Sequence, residues 1–247
     1  MHLAGNHPIR TQKNELKPWQ HRQWCIPQAS AAYVAAMEDV LDLYAQPEDP
    51  QRPLVCLDED PVVLHAPARP AVLPAPGRVE RRDFEYVRQG TAALFVLVAP
   101  LIGWRHYAPS ARRTTADYAH QLRYLADEAF PTALVIRVLQ DNLNTHGPAA
   151  LYATFPPEEA HRLAQRFEFH HTPIHGSWLN MAEIEISIVV RRCLSRPCPD
   201  LDTLAQRTAA LEVERNAQHR TITWQFTVPQ ARTKLHALYP DPKTNVD

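Results

Sequence analysis

The chain is poor in glycine, with six residues in 247, and no glycine-rich run could cradle a phosphate. That argues against a small-molecule phosphohydrolase. It has four cysteines, Cys25, Cys56, Cys193 and Cys198, and no CxxC pair. Cys193 and Cys198 have no second pair at zinc spacing, so a structural zinc site is not expected. Cys56 lies in an apolar run and reads as a small core residue. So few cysteines suit a reducing, cytosolic setting. The N-terminus has no apolar signal core and no stretch reaches membrane-spanning length, so no membrane partner is expected. A large net charge is also missing: the formal value is −1, so the whole molecule is not an obvious polyanion binder.

The charge is uneven, however. Residues 78–113 hold seven arginines (Arg78, Arg81, Arg82, Arg88, Arg105, Arg112 and Arg113) against Glu80, Asp83 and Glu85. This run reads either as a solvated surface or as a phosphate-facing patch. Hydrophobic content of 45% and charged content of 21% are ordinary for a globular chain of one or two domains.

Periodicity gives the order of elements. Residues 1–24 read as a polar arm carrying Trp19 and Trp24. Residues 28–45 read as a helix with Ser30 as N-cap. Leu54-Val55-Cys56-Leu57 is a short buried strand ending at Asp58-Glu59-Asp60, before a proline-rich loop. Residues 84–87, 92–98 and 104–107 are candidate antiparallel strands. Residues 115–130 form an amphipathic helix with Tyr118, Leu122, Leu125 and Ala129 on one face. Residues 133–139 form a strand apolar on both faces, as in a covered central strand. A helix (158–166), a strand (167–172), helices (180–194 and 202–218), an alternating strand (222–226) and a short terminal helix complete the chain. That order predicts an α/β fold: a mixed sheet with helices on both faces.

Three acids stand out. Asp58 and Asp141 each end an apolar strand, on the side where open α/β sheets bind ligands. A single acid there is commonly a turn former. Two on neighbouring strands point to a shared cation, because unpaired carboxylates in such places are costly. Glu59 and Asp60 are rival ligands, although alternation turns Asp58 and Glu59 to opposite faces. Glu183 fits a capping box with Asn180, yet it also lies beside the expected core face marked by Ile184 and Ile188. Glu185 is about 200° further around the helix, so only one of the two glutamates can face the site. Three carboxylates suit Mg²⁺ or Mn²⁺, and two such ions could activate water or a hydroxyl against a phosphodiester. His146 and His175 flank the acids as hydrogen bonders, phosphate contacts or plain surface residues. Trp178 could stack on a base, with a core role as the bland alternative.

Three stretches carry a resemblance: Cys56-Leu57-Asp58-Glu59, Asp141-Asn142-Leu143-Asn144-Thr145-His146, and His175-Gly176-Ser177-Trp178-Leu179-Asn180-Met181-Ala182-Glu183-Ile184-Glu185. They resemble the acidic motifs of bacterial insertion-sequence transposases of the mariner superfamily, nearest the insertion-sequence 630 family, over about residues 11–240. The resemblance implies an RNase H-like fold and a DDE catalytic site at Asp58, Asp141 and Glu183, using two Mg²⁺ or Mn²⁺ ions. It implies metal-dependent cleavage and strand transfer of DNA, with transposon ends and target as partners, in the bacterial cytoplasm at the nucleoid. A homo-oligomer is compatible with it. Asn142, His146, His175, Ser177, Trp178 and Asn180 become supporting or DNA-contacting residues, and Arg81, Arg82, Arg112 and Arg113 become DNA contacts.

The pattern departs from the family at the N-terminus, where helix-turn-helix modules usually precede the catalytic domain. Residues 1–50 read as an arm and helix left from a linker, and residues 51–247 as the endonuclease domain. The competing reading is a truncated, non-catalytic remnant that binds DNA or full-length transposase.

Overall fold

The computed structural model describes residues 30–81, 85–143 and 146–241. The expectations for Trp19, Trp24, Cys25, Arg82 and Phe84 fall outside these. Five strands build one sheet: β1 (Leu54–Pro67), β2 (Tyr86–Ala99), β3 (Trp104–Ser110), β4 (Ile136–Gln140) and β5 (Phe167–His171), in the order β3-β2-β1-β4-β5. β2 runs antiparallel to β1 and β3, whereas β1, β4 and β5 pair in parallel. The helices are α1 (Ala31–Ala45), α2 (Thr115–Tyr124), α3 (Ala149–Thr154), α4 (Pro157–Ala164), α5 (Ala182–Cys193), α6 (Leu201–Ala217) and α7 (Val228–Lys234). This is the mixed α/β sheet of the RNase H-like expectation.

Strand alternation sorts the core into two layers. Leu54, Cys56, Val62 and Leu64 of β1 join α1, α5 and α6 on one face. Val55 and Leu57 join Tyr118, Leu122, Leu151 and Leu163 of α2, α3 and α4 on the other. Each such buried aliphatic side chain contributes about 1.5–3 kcal/mol, so both layers hold the sheet. Helix α1 supplies Met37, Val40 and Leu41 to the same layer as β1. Its N-cap is Ser30, whose hydroxyl accepts from the Tyr33 amide.

The structure corrects several boundaries. β1 continues through the acids to Pro67 instead of ending at Asp58. It does so because β2 pairs with it from Cys56 to Pro67, while β4 pairs only with Leu54, Val55 and Cys56 and so leaves an edge on which Pro61 is tolerated. The two strands expected at 84–87 and 92–98 belong to one strand, β2. Gly90, at φ +113°, sits where the β1–β2 register shifts, so it marks a bulge and not a strand start. Leu134 is exposed and lies before β4. Helix α3 is an addition to the expected order. Residues 222–226, expected as a strand, form no ladder. Ile222 donates to the Pro100 carbonyl, and Ile222, Trp224 and Phe226 pack on the α1–α5 layer. Their alternation records one-sided packing of an extended segment.

Candidate active site

Asp58 and Asp141 come together through the parallel register. Cys56 pairs with Leu139 as the last rung of the β1–β4 ladder, and each acid lies two residues further on: Asp58 within β1, which continues past it, and Asp141 one residue past the end of β4. Asp58 lies on the α5 side of the sheet. Its Oδ1 accepts from the Glu59 amide at 2.8 Å, and its Oδ2 faces Asn180 Nδ2 at 3.4 Å.

Asn180 is the tie that brings α5 here. It is buried, donates to the Leu57 carbonyl at 2.9 Å, and accepts from the Ala182 amide at 3.1 Å. Its side chain is therefore committed to β1 and to the Ala182 amide. The capping box with Glu183 does not form, and Met181 caps α5 without a side-chain bond. Glu183 is exposed in the first turn of α5. Glu185 is fully buried on another face, held by Arg105, Tyr107 and Arg215. The core face of α5 is Ala182, Glu185, Val189 and Cys193, and Ile184 is exposed. This corrects the placement of Ile184 on the core face.

The electrostatics show acids gathered at one place. Burial raises the Asp58 carboxyl to about 7, and the charges of Asp141, Glu183 and Glu59 push the same way. Burial also pushes Asp141 up, but His146 outweighs it and holds Asp141 below the usual carboxylate range. His146 is raised to about 9: burial opposes the charge, and Asp141 and Glu59 overcome it. Among the described residues, no three His, Cys, Asp or Glu side chains form a ready-made metal cluster. His146 Nδ1 lies 2.8 Å from Asp141 Oδ1 and is the nearest positive group to that carboxylate. The oxygen-only donor set and the strained Asp58 charge fit a hard divalent cation.

The other expected residues divide. Asn142 binds the Thr172 carbonyl, so it braces the loop after β4 against β5. A cleft beside Asp141 is lined by Asn142, Thr172, Pro173, His175 and Ser177. His175 has a left-handed backbone, φ +64°. Trp178 is half-exposed and packs against Trp224 and Phe226, so it is neither a free stacking platform nor a core residue. Arg112 is exposed in the loop before α2, next to Arg113. Arg113 is not free: its Nε lies 3.3 Å from Glu59. Arg81 lies on the loop between β1 and β2, where it pairs with Val72. Arg105, counted in the basic run, is fully buried and belongs to the Glu185 network.

Tyr118 is expected only on the apolar face of its helix, and Gln140 lies just past the expected strand with no role assigned to it. Tyr118 stacks on His146 at 4.5 Å and donates to Gln140 at 2.6 Å. A polar Gln140 closing an apolar strand was the available signal.

The sequence model for the DDE superfamily endonucleases matches residues 53–205, well over half the chain, and the chain belongs to that family. Among solved structures it is similar to the Mos1 mariner paired-end complex with Mn, at 16% identity over 81% of this chain and 62% of that one, with a TM-score of 0.49. It is also similar to the Mos1 strand transfer complex (13%, 83% and 68%, 0.38) and to a simian T-cell lymphotropic virus intasome (14%, 76% and 53%, 0.37). The chain thus spans less than two thirds of the first of these. No curated protein matches it significantly. Among the described residues, no helix is long and apolar enough to cross a membrane.

Proposed function

We propose that this chain is the catalytic domain of a transposase, cleaving and joining DNA phosphodiesters with Asp58, Asp141 and Glu183 as its catalytic acids. Its substrates are transposon ends and target DNA, met in the bacterial cytoplasm. The observation that carries the reading is the parallel register, in which Asp58 of β1 and Asp141, just past β4, each lie two residues beyond the paired Cys56 and Leu139, with α5 tied to β1 through Asn180. Family membership gives that arrangement its chemistry.

Asp58, Asp141 and Glu183 would hold two Mg²⁺ or Mn²⁺ ions. The ions would lower the pKa of an attacking water or 3′-hydroxyl and neutralise the leaving oxygen. The protein's part is to hold the acids. Asn180 and the Glu59 amide fix Asp58, and the Glu185 network fixes the helix that carries Glu183. Arg112 and Arg81 offer positive charge to the backbone of a bound strand, and the His175–Ser177 loop borders the cleft beside Asp141.

The test is nicking of supercoiled plasmid. Wild type should nick in Mn²⁺ or Mg²⁺ with little sequence preference and remain inert in EDTA. Glu183→Gln should fold and bind DNA but not nick, since it removes only the charge. A folded wild type that binds DNA and never nicks with either metal returns the chain to the remnant reading.

A further inference from the structure

On the face of the sheet opposite Asp58, beneath Asp141, lies a polar cluster to which the three acids assign no role. Glu59 is three residues beyond the end of the β4 pairing, and alternation sends its side chain to the α2 side. There it is buried, with 2% of its side chain exposed, and so is His146, with 1%. Glu59 Oε1 lies 3.0 Å from His146 Nε2, and Tyr118 stacks on the imidazole with its rings 18° from parallel. The other ring nitrogen, Nδ1, is buried without an aligned hydrogen bond and lies 2.8 Å from Asp141 Oδ1. Glu59 Oε2 is also buried and accepts no hydrogen bond, with Arg113 Nε 3.3 Å away.

A buried carboxylate is expensive to keep. Replacing Glu59 by an apolar residue would suit the surrounding Leu57, Tyr118 and Ala119 layer. What Glu59 does in exchange is geometric. One edge of the imidazole is fixed by Glu59 and its plane by Tyr118, so its remaining nitrogen can point only toward Asp141. Asp141 itself follows the last residue of β4 and has little else to orient it: its Oδ1 takes one long contact, 3.4 Å, from the Leu143 amide. Side chains that orient a metal-ligating group typically change metal affinity by about 10- to 100-fold when removed.

We infer that Glu59 is a positioning residue: through His146 it holds the Asp141 carboxylate in the orientation that accepts a divalent cation, and it does not bind the cation itself. The inference rests on the metal reading of the acids. It also gives Arg113 a second task, as the outer partner of Glu59, in place of a DNA contact alone.

Calorimetric titration of the full chain with MnCl₂ tests it, using wild type, Asp141→Asn, Glu59→Ala, Glu59→Gln, His146→Ala and the Glu59→Ala/His146→Ala double variant. Far-UV circular dichroism of each in EDTA establishes folding. Wild type should bind Mn²⁺ and Asp141→Asn should lose most of that affinity. Glu59→Ala and His146→Ala should each raise Kd by about 10- to 100-fold, and the double variant should be no weaker than His146→Ala alone. Glu59→Gln keeps volume and a hydrogen bond to the ring, so it should lie close to wild type; it carries the test if Glu59→Ala does not fold, because a Glu59 that ligates the ion would make Glu59→Gln as weak as Asp141→Asn. Penalties that multiply in the double variant would make Glu59 an independent ligand and overturn the inference. So would a folded Glu59→Ala with unchanged Kd. A wild type without measurable Mn²⁺ binding overturns both this inference and the metal reading beneath it.

Discussion

Asp58 carries a charge that the fold does not welcome. Its carboxyl is raised to about 7 by burial and by Asp141, Glu183 and Glu59, against about 3.9 in an unfolded chain. Between those values the folded state keeps a proton that the unfolded state releases, so stability falls as pH rises. His146 acts in the same direction over a higher range. Raised to about 9 from an unfolded value of about 6.5, it stabilises fully below 6.5, and that contribution is lost as pH rises through 9. In EDTA the urea midpoint should therefore decline from pH 5 to pH 9. Asp58→Asn should remove the decline below pH 7 and leave the part above it. A flat wild-type profile would refute the reading of both groups.

At the scale of the element, α5 shows two glutamates two residues apart with separate fates. Glu185 is enclosed by Arg105, Tyr107 and Arg215, so Glu185→Ala leaves the fully buried Arg105 without a carboxylate, bonded only to the Gly103 and Arg220 carbonyls. It should cost about 3–5 kcal/mol of unfolding free energy. Glu183 is exposed and forms no capping box, so Glu183→Gln should stay within about 0.5 kcal/mol of wild type. Equal losses in urea denaturation would make Glu183 structural. Legibility also divides by element. β1, β4 and α5 were readable because apolar runs met acids at their ends. The full length of β1 was not, because Pro61 argues against a strand when its pairing edges are unknown. Helix α3 was hidden behind Gly147 and Pro148. The Glu59–His146 contact joins residues 87 apart, and no local pattern announces it. The capping box spelled by Asn180 and Glu183 does not form, because Leu57 and Asp58 take the Asn180 side-chain amide, a pairing that only the fold shows.

For the whole molecule, the formal charge of −1 means that DNA affinity must come from local positive groups. Burial of Arg105 and pairing of Arg113 thin the basic run further. Binding of a short duplex, followed by fluorescence anisotropy, should be weak and fall steeply with salt. Arg112→Ala should lower the log–log salt slope by about one. An unchanged slope would remove Arg112 from the interface.

The part of β1 that leaves β4 also bears on how the protein stays dispersed. The Leu57 carbonyl and the His65 amide both turn away from β2, so the odd-numbered residues between them present the outer edge. An edge of that length is a template for another chain's strand. Here it is blunted at four points: Asn180 takes the Leu57 carbonyl, the Asp58 side chain takes the Glu59 amide, Pro61 has no N–H to offer, and the Cys198 carbonyl takes the His65 amide. The carboxylate of Asp58 thus occupies an edge amide that would otherwise be open to another chain's strand, a task that Asp58→Asn would keep and Asp58→Ala would remove.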